Sequence, residues 1–408
     1  MRGKIRSARL AGAVAVAAAI GTAVLVDSTP SVAAPVGSAH AAAAPVNVGM
    51  VYEKTGIYSA YATEYQQGFN IGMRYVTHGT GKVDGHHVNV TWDDDADSST
   101  TAINDFKSFV GAGDKIIGGT IDSGIGTQLA PLAAQNHVLY IAGSAAADQL
   151  TGANQYTFRS GRQTYQDVMA AKSYVANAGR GKKIVVLAQD YAFGESYVTD
   201  AKRVFGKLHD KVTPILVPLT TTDFTPTALQ VKALHPSLIF LAWAGTTGAA
   251  LAQALDQQGV FSNTKVVTGL ANIATYPFYG KAGLKFDYIS LYVYQGSKTP
   301  PNLYLIKQMK KQYGSVPDLF CADGFVGAQM VARAIQTGGG TNVKAMIKGL
   351  DGWSFLAPKG VQVIRPSDHA MLQPMYLVKL VDRHGTYTPI VTKTLGEAQT
   401  APAPRPIK

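Results

Sequence analysis

The chain has 408 residues, 46% hydrophobic and 15% charged, enough for a large core in two domains and too apolar for a disordered polymer. The formal net charge of +11 is spread thinly, with the densest basic groups at residues 179–183 and 310–311. No Lys/Arg stripe interleaved with aromatics occurs, which argues against a nucleic-acid surface.

Arg2, Lys4, Arg6 and Arg9 precede an apolar run from Leu10 to Val26 and a cleavage-like Ala39-His40-Ala41. The run sits at the short end of the ~17–25 residues a membrane span needs. Residues 1–44 therefore read as an export signal, not an anchor. The single cysteine, Cys321, lies far from that signal, excludes an intramolecular disulfide and reads as an inert buried thiol. No cysteine stands near the cleavage site to carry a lipid.

Residues 46–52 are an apolar, β-branched strand, followed by a loop, a helix over 65–76 and an alternating strand over 88–92. An acidic turn at 93–100 caps a helix over 101–110. Residues 115–150 then give strand, glycine-rich turn, short helix, strand and a turn of small residues. This unit puts two turns, holding Ser123 and Ser144, side by side at the carboxyl edge of a parallel sheet, where open α/β sheets bind ligands.

A second series follows. Helices are expected over 165–178, 196–208, 227–234 and 248–258, with strands over 183–188, 237–242 and 265–268. Pro214 and Pro218 place a further strand, 212–219, at a sheet edge. The remainder holds strands at 289–294, 361–365 and 375–381 and helices at 301–313 and 319–337. Pro402, Pro404 and Pro406 make residues 396–408 read as a disordered tail.

Alternating βα units in two successive series predict an α/β protein of two doubly wound parallel-sheet lobes. We expect lobe one over 45–162, lobe two over 163–292, a return to lobe one over 293–366 and lobe-two strands over 367–395. Crossovers fall near 160–165, 292–296 and 365–372.

Catalytic and cofactor patterns fail on inspection. Gly124-Ile125-Gly126 begins a dinucleotide fingerprint, but Leu129 stands at the third glycine. There is no phosphate loop, no Gly-x-Ser-x-Gly and no His-Glu-x-x-His. Asp93, Asp95 and Asp97 have calcium-loop spacing, yet Ser98 replaces the glycine and Asn104 the terminal glutamate, so a solvated capping turn is expected there. His369 is expected to bond a neighbour within its loop. No nucleophile, base and orienter assemble, so no cofactor, no metal and no enzymatic activity are expected.

Several residues in sequence order carry a resemblance. They are Thr55-Gly-x-x-Ser-Ala-Tyr61, Gly68, Asp93-Asp94, Ile117-Gly118 leading to Ser123, Phe158-Arg159-Ser160, Tyr191-Ala-Phe-Gly194, Pro358-x-Gly360 and Arg365-Pro-x-Asp-His369. On these the chain, from about Val46 to Val381, resembles exported solute-binding proteins of ABC importers of the branched-chain amino acid (Leu/Ile/Val) type. The resemblance implies the type I periplasmic binding protein fold, two lobes joined by three hinge strands and closing on a ligand. It implies a ligand carboxylate held by Ser123 and by the backbone at Ser144, Ala145 and Ala146, with Tyr61 as a wall aromatic. Across the cleft it implies contacts from Tyr191, Phe193 and Trp243 or Ala244.

One position departs from the pattern: Leu270 stands where amino-acid binders place the carboxylate that pairs with the α-ammonium. Asp122 and Asp190 are the alternative ammonium partners, with turn capping as the simpler role of each. The expectation is therefore an exported binder of a small carboxylate, an amino acid or, in preference, an organic acid with an apolar or aromatic body. It works as a monomer with the membrane subunits of an ABC importer, free of nucleic acid, in the periplasm or outside the cell. The alternatives are a ligand-sensing receptor module of the same fold and, more distantly, a doubly wound enzyme.

Overall fold

The computed structural model describes residues 43–177 and 180–408. The expected export signal therefore lies outside the described residues, apart from its last two positions.

Lobe one is built on β1 (Val46–Tyr52), β2 (Lys82–Val83), β3 (His86–Asp94), β4 (Ile116–Gly118), β5 (Leu139–Ala142) and β6 (Thr157–Arg159). They form a six-stranded sheet in the order β2-β3-β1-β4-β5-β6. All its pairings are parallel except β2 with β3. Between them run α1 (Ser59–Val76), α2 (Ser99–Gly111) and α3 (Ser123–Asn136).

Lobe two takes α4 (Thr164–Asn177), β7 (Lys183–Gln189), α5 (Ala192–Phe205), β8 (Lys211–Val217), α6 (Thr225–Ala233) and β9 (Leu238–Ala242). It continues with α7 (Gly248–Gln257), α8 (Val260–Asn263), β10 (Lys265–Thr268) and β11 (Asp287–Ser290). The central strands β7 and β9 are apolar runs buried on both faces, as a helix-covered parallel sheet requires. Strand β8, carrying Pro214, lies at the edge, where a missing N–H costs nothing.

The chain then supplies α9 (Pro300–Tyr313), α10 (Leu319–Gly338) and α11 (Val343–Leu350). A small antiparallel sheet follows: β12 (Ser354–Ala357), β13 (Gly360–Ile364) and β14 (Met371–Leu372). Strands β15 (Met375–Arg383) and β16 (Thr386–Leu395) join lobe two antiparallel to β11, giving the order β16-β15-β11-β10-β9-β7-β8. Helix α10 packs along α1 of lobe one and is buried over most of its length.

Two expectations are corrected here. The C-terminal segment is ordered: it forms α12 (Glu397–Thr400), Arg405 Nη2 lies 2.7 Å from Asp148 Oδ2, and Lys408 N donates to Gly152 O at 3.2 Å. Composition saw only its prolines; partners from distant segments hold it. His369 also reaches beyond its loop, with Nδ1 2.9 Å from Thr157 O and its ring stacked on Phe158 at 3.8 Å. Among the described residues, no helix is long and apolar enough to cross a membrane.

Candidate ligand cleft

Three lobe-one strands end at one place. After β1 come Tyr58 and, in the first turn of α1, Tyr61; after β4 comes Ile121; after β5 come Ser144 and Ala146. From lobe two, Tyr191 and Phe193 follow β7, Ala244 follows β9 and Leu270 follows β10. Arg162, in the segment between β6 and α4, and Phe320, in the first turn of α10, complete the lining. Both sheets thus present their carboxyl edges to one cleft.

The walls are aromatic. Tyr58 stacks with Tyr191 at 6.1 Å, Tyr191 meets Phe193 at 5.7 Å, and Tyr61 packs on Phe320 at 4.6 Å. The lobes also touch directly. Gly245 N donates to Tyr61 Oη at 3.4 Å, and Ile273 N donates to Asp318 Oδ2, the N-cap of α10, at 2.7 Å.

The floor is charged but paired. Arg162 is fully buried, with Nε 3.1 Å from Asp167 Oδ2 and Nη1 donating to Ser144 O at 3.2 Å. Its Nη2 has no hydrogen-bond partner. Ser144 Oγ donates to Asp323 Oδ2 at 3.1 Å, and Lys359 Nζ stands 4.0 Å from Asp323 Oδ1. Burial pushes Lys359 down to about 8, with the Asp323 charge opposing that shift. Burial raises Asp167, against the pull of Arg162.

Of the residues expected from the sequence, Tyr61, Ser144, Ala146, Tyr191, Phe193, Leu270 and Ala244, the alternative to Trp243, line this space. Ser123, Ala145 and Trp243 do not. Ser123 Oγ accepts from Ala146 N at 3.0 Å and Ala147 N at 3.2 Å, so the hydroxyl and N–H groups expected to face an anion face each other. Ala145 N donates to Thr120 O at 3.2 Å. Trp243 is buried in the lobe-two core, edge-on to Phe224, with Nε1 donating to Thr247 Oγ1 at 3.0 Å. Asp122 caps α3 by accepting from Ile125 N at 2.9 Å.

Sequence reading missed Tyr58, Ile121, Arg162 and Phe320. Arg162 carried a faint signal, a second arginine three positions after Arg159 in the expected crossover. Phe320 carried none, because its neighbours read only as helix core.

Outside the lining, Glu53, Asp95 and Asp97 come together, with one oxygen of each within 4.8 Å of the others. The acidic turn is thus not simply solvated: Asp95 is 0% exposed. Its capping role falls to Ser98, whose Oγ accepts from Thr101 N at 3.3 Å.

Comparison with known proteins bears on this geometry. The family model for periplasmic binding proteins matches residues 45–385. The Leu/Ile/Val-binding protein homolog 3 of Brucella melitensis is 22% identical over 330 residues, covering 78% of this chain and 86% of that protein. A solved ABC-type branched-chain amino acid transporter protein from Rhodopseudomonas palustris is 30% identical, with a TM-score of 0.73, covering 89% of this chain and all (100%) of that one. A second solved structure, an ABC-transporter solute-binding protein of the same species in complex with p-hydroxybenzoic acid, is 21% identical with a TM-score of 0.80. It covers 86% of this chain and 97% of that one, a likeness of fold.

Proposed function

This chain belongs to the periplasmic binding protein family, and from that premise we propose that it captures a small aromatic or apolar carboxylate outside the cytoplasm and delivers it to the membrane subunits of an ABC importer. The leader expected over residues 1–44 directs export, and the protein works as a monomer. Ligand contacts from both lobes favour the closed form over the open one.

One observation carries the ligand class. Arg162 is the charged side chain among the described lining residues, and no carboxylate lines the cleft. An α-ammonium would face Leu270 and aromatic rings. Burying it unpaired costs several kcal/mol on the order of an uncompensated buried charge. An anionic head group meets instead the buried guanidinium of Arg162, which Asp167 pairs at Nε and whose Nη2 has no hydrogen-bond partner. The ring faces of Tyr58, Tyr191 and Phe320 suit a flat apolar body. The fold neighbour bound to p-hydroxybenzoic acid supports the same class.

The test is calorimetric titration of the purified protein with benzoate, 4-hydroxybenzoate, 4-methylpentanoate and leucine. The acids without an amino group are expected to bind saturably and raise Tm, and leucine to do neither. Leucine binding more tightly than 4-methylpentanoate, its deaminated counterpart, would overturn the reading.

A further inference from the structure

We propose that Glu53, Asp95 and Asp97 form a binding site for a hard divalent cation, calcium by preference, in the wall of lobe one beside the ligand cleft. Glu53 follows the last residue of β1, and Asp95 and Asp97 follow β3, so the parallel pairing of these strands brings them together. Glu53 and Asp95 are each 0% exposed, and Asp97 is partly buried.

The carboxylates are held by backbone. Glu53 Oε1 accepts from Asp122 N at 2.7 Å and Ile121 N at 2.9 Å, and from the Thr120 hydroxyl. Asp95 Oδ1 accepts from Asp97 N at 2.9 Å, and Asp97 Oδ2 accepts from Ile57 N. These bonds stabilise the ionised forms and fix their positions. They leave Asp95 Oδ2 and Asp97 Oδ1 buried with no hydrogen-bond partner. Asp95 is thus a fully buried acid, grouped with two others, whose second oxygen has nothing to accept from.

Nothing of opposite charge offsets the group. Among the described residues, no ion pair involves Glu53, Asp95 or Asp97. The charges that act on Asp95 and Asp97 are further carboxylates, Asp94 and Asp122. A cation would supply the partner that the buried Asp95 Oδ2 and Asp97 Oδ1 lack, beside a Glu53 carboxylate already fixed by three donors. The donors are oxygens, without imidazole or thiol, which selects calcium or magnesium over zinc. Calcium is favoured because it accepts irregular, partly hydrated loop geometry.

A cation there ties two loops that serve the cleft. Glu53 holds Ile121, and Asp97 holds the loop at Ile57, next to Tyr58; Ile121 and Tyr58 both line the ligand space. No contiguous motif could reveal the site, because Glu53 comes from another strand end.

The test uses the full chain, stripped with a chelator and dialysed, and titrated calorimetrically with CaCl2 alone, then with MgCl2 alone. Saturable calcium binding below about 1 mM and a rise in Tm are expected. Asp95→Asn is expected to weaken calcium binding at least about tenfold, since affinity follows the ligand charge count. Where circular dichroism shows Asp95→Asn to be unfolded, Asp97→Asn on the partly exposed rim gives the same readout. The proposal is overturned when the stripped wild type shows neither saturable binding nor a Tm shift with either cation, or when the folded variant binds as wild type does. No organic ligand enters the measurement, so its failure leaves the ligand reading untouched.

Discussion

Leu270 follows β10 with φ at 56°, in the left-handed region that suits Gly, Asn and Asp better than a branched apolar side chain. An aspartate is therefore tolerated by the backbone there, and it would place a carboxylate against the cleft. Leu270→Asp is expected to raise leucine affinity at least about tenfold and to weaken aromatic acids similarly, since an interfacial charge pair or clash is worth roughly 1.5 kcal/mol or more. Calorimetry with the two ligands decides; no change in either would remove Leu270 from the site. A second residue reports on pH. Burial, with the Asp148 charge adding, pushes Asp200 up to about 7. Its folded pKa lies above the unfolded one, so its contribution to stability is complete below the unfolded value and is lost as pH rises through about 7. Asp200→Asn keeps an acceptor for the Thr164 hydroxyl and removes that titration. Its Tm is expected to fall less than wild type's between about pH 4 and about pH 8; an equal fall in both would refute the assignment. At this scale, residue type was readable and partner was not. The resemblance makes Ser123 a ligand hydroxyl, whereas in the structure its oxygen accepts from Ala146 N and Ala147 N of the neighbouring turn.

Helices α1 and α10 meet backbone to backbone. A Cβ on Gly68 would lie 2.0 Å from Cys321 O, and one on Gly324 would lie 2.0 Å from Tyr65 O. The seam matters to the cleft because Tyr61 and Phe320 stand at the starts of these two helices. Gly324→Ala must push the helices apart. It is expected to destabilise by about 1–3 kcal/mol, the usual cost of overpacking, and to weaken ligand binding through the Tyr61–Phe320 pair. Urea unfolding and calorimetry measure the two effects, and unchanged stability would show that the seam yields freely. Element type was legible because apolar periodicity is local. Element ends were less so: the strand expected at 289–294 is β11, which ends at Ser290, whose Oγ takes the Tyr292 N–H at 3.2 Å.

Across the whole molecule, the chain passes between lobes and its C-terminus returns to the first crossing. Arg365 Nη1 donates to Pro402 O at 2.7 Å, and Arg405 pairs with Asp148, which accepts from Gln163 Nε2 at 2.8 Å and from the Thr164 hydroxyl at 3.2 Å. Deleting residues 402–408 is expected to lower Tm by roughly 1–2 °C, the shift for about 1 kcal/mol in a chain longer than 250 residues. An unchanged melting curve would make the segment dispensable. Proline content alone read this segment as disordered, because composition cannot see a partner two hundred and more residues away. The sequence by itself determined the α/β alternation and the two lobes. Those follow from apolar runs and turn residues, whose signals span only a few positions. The tertiary structure decided which side chains face each other. Tyr58, Arg162 and Phe320 meet at one cleft, and Glu53 meets Asp95 and Asp97, only because strand ends and helix starts from separate segments converge on the carboxyl edges of two sheets.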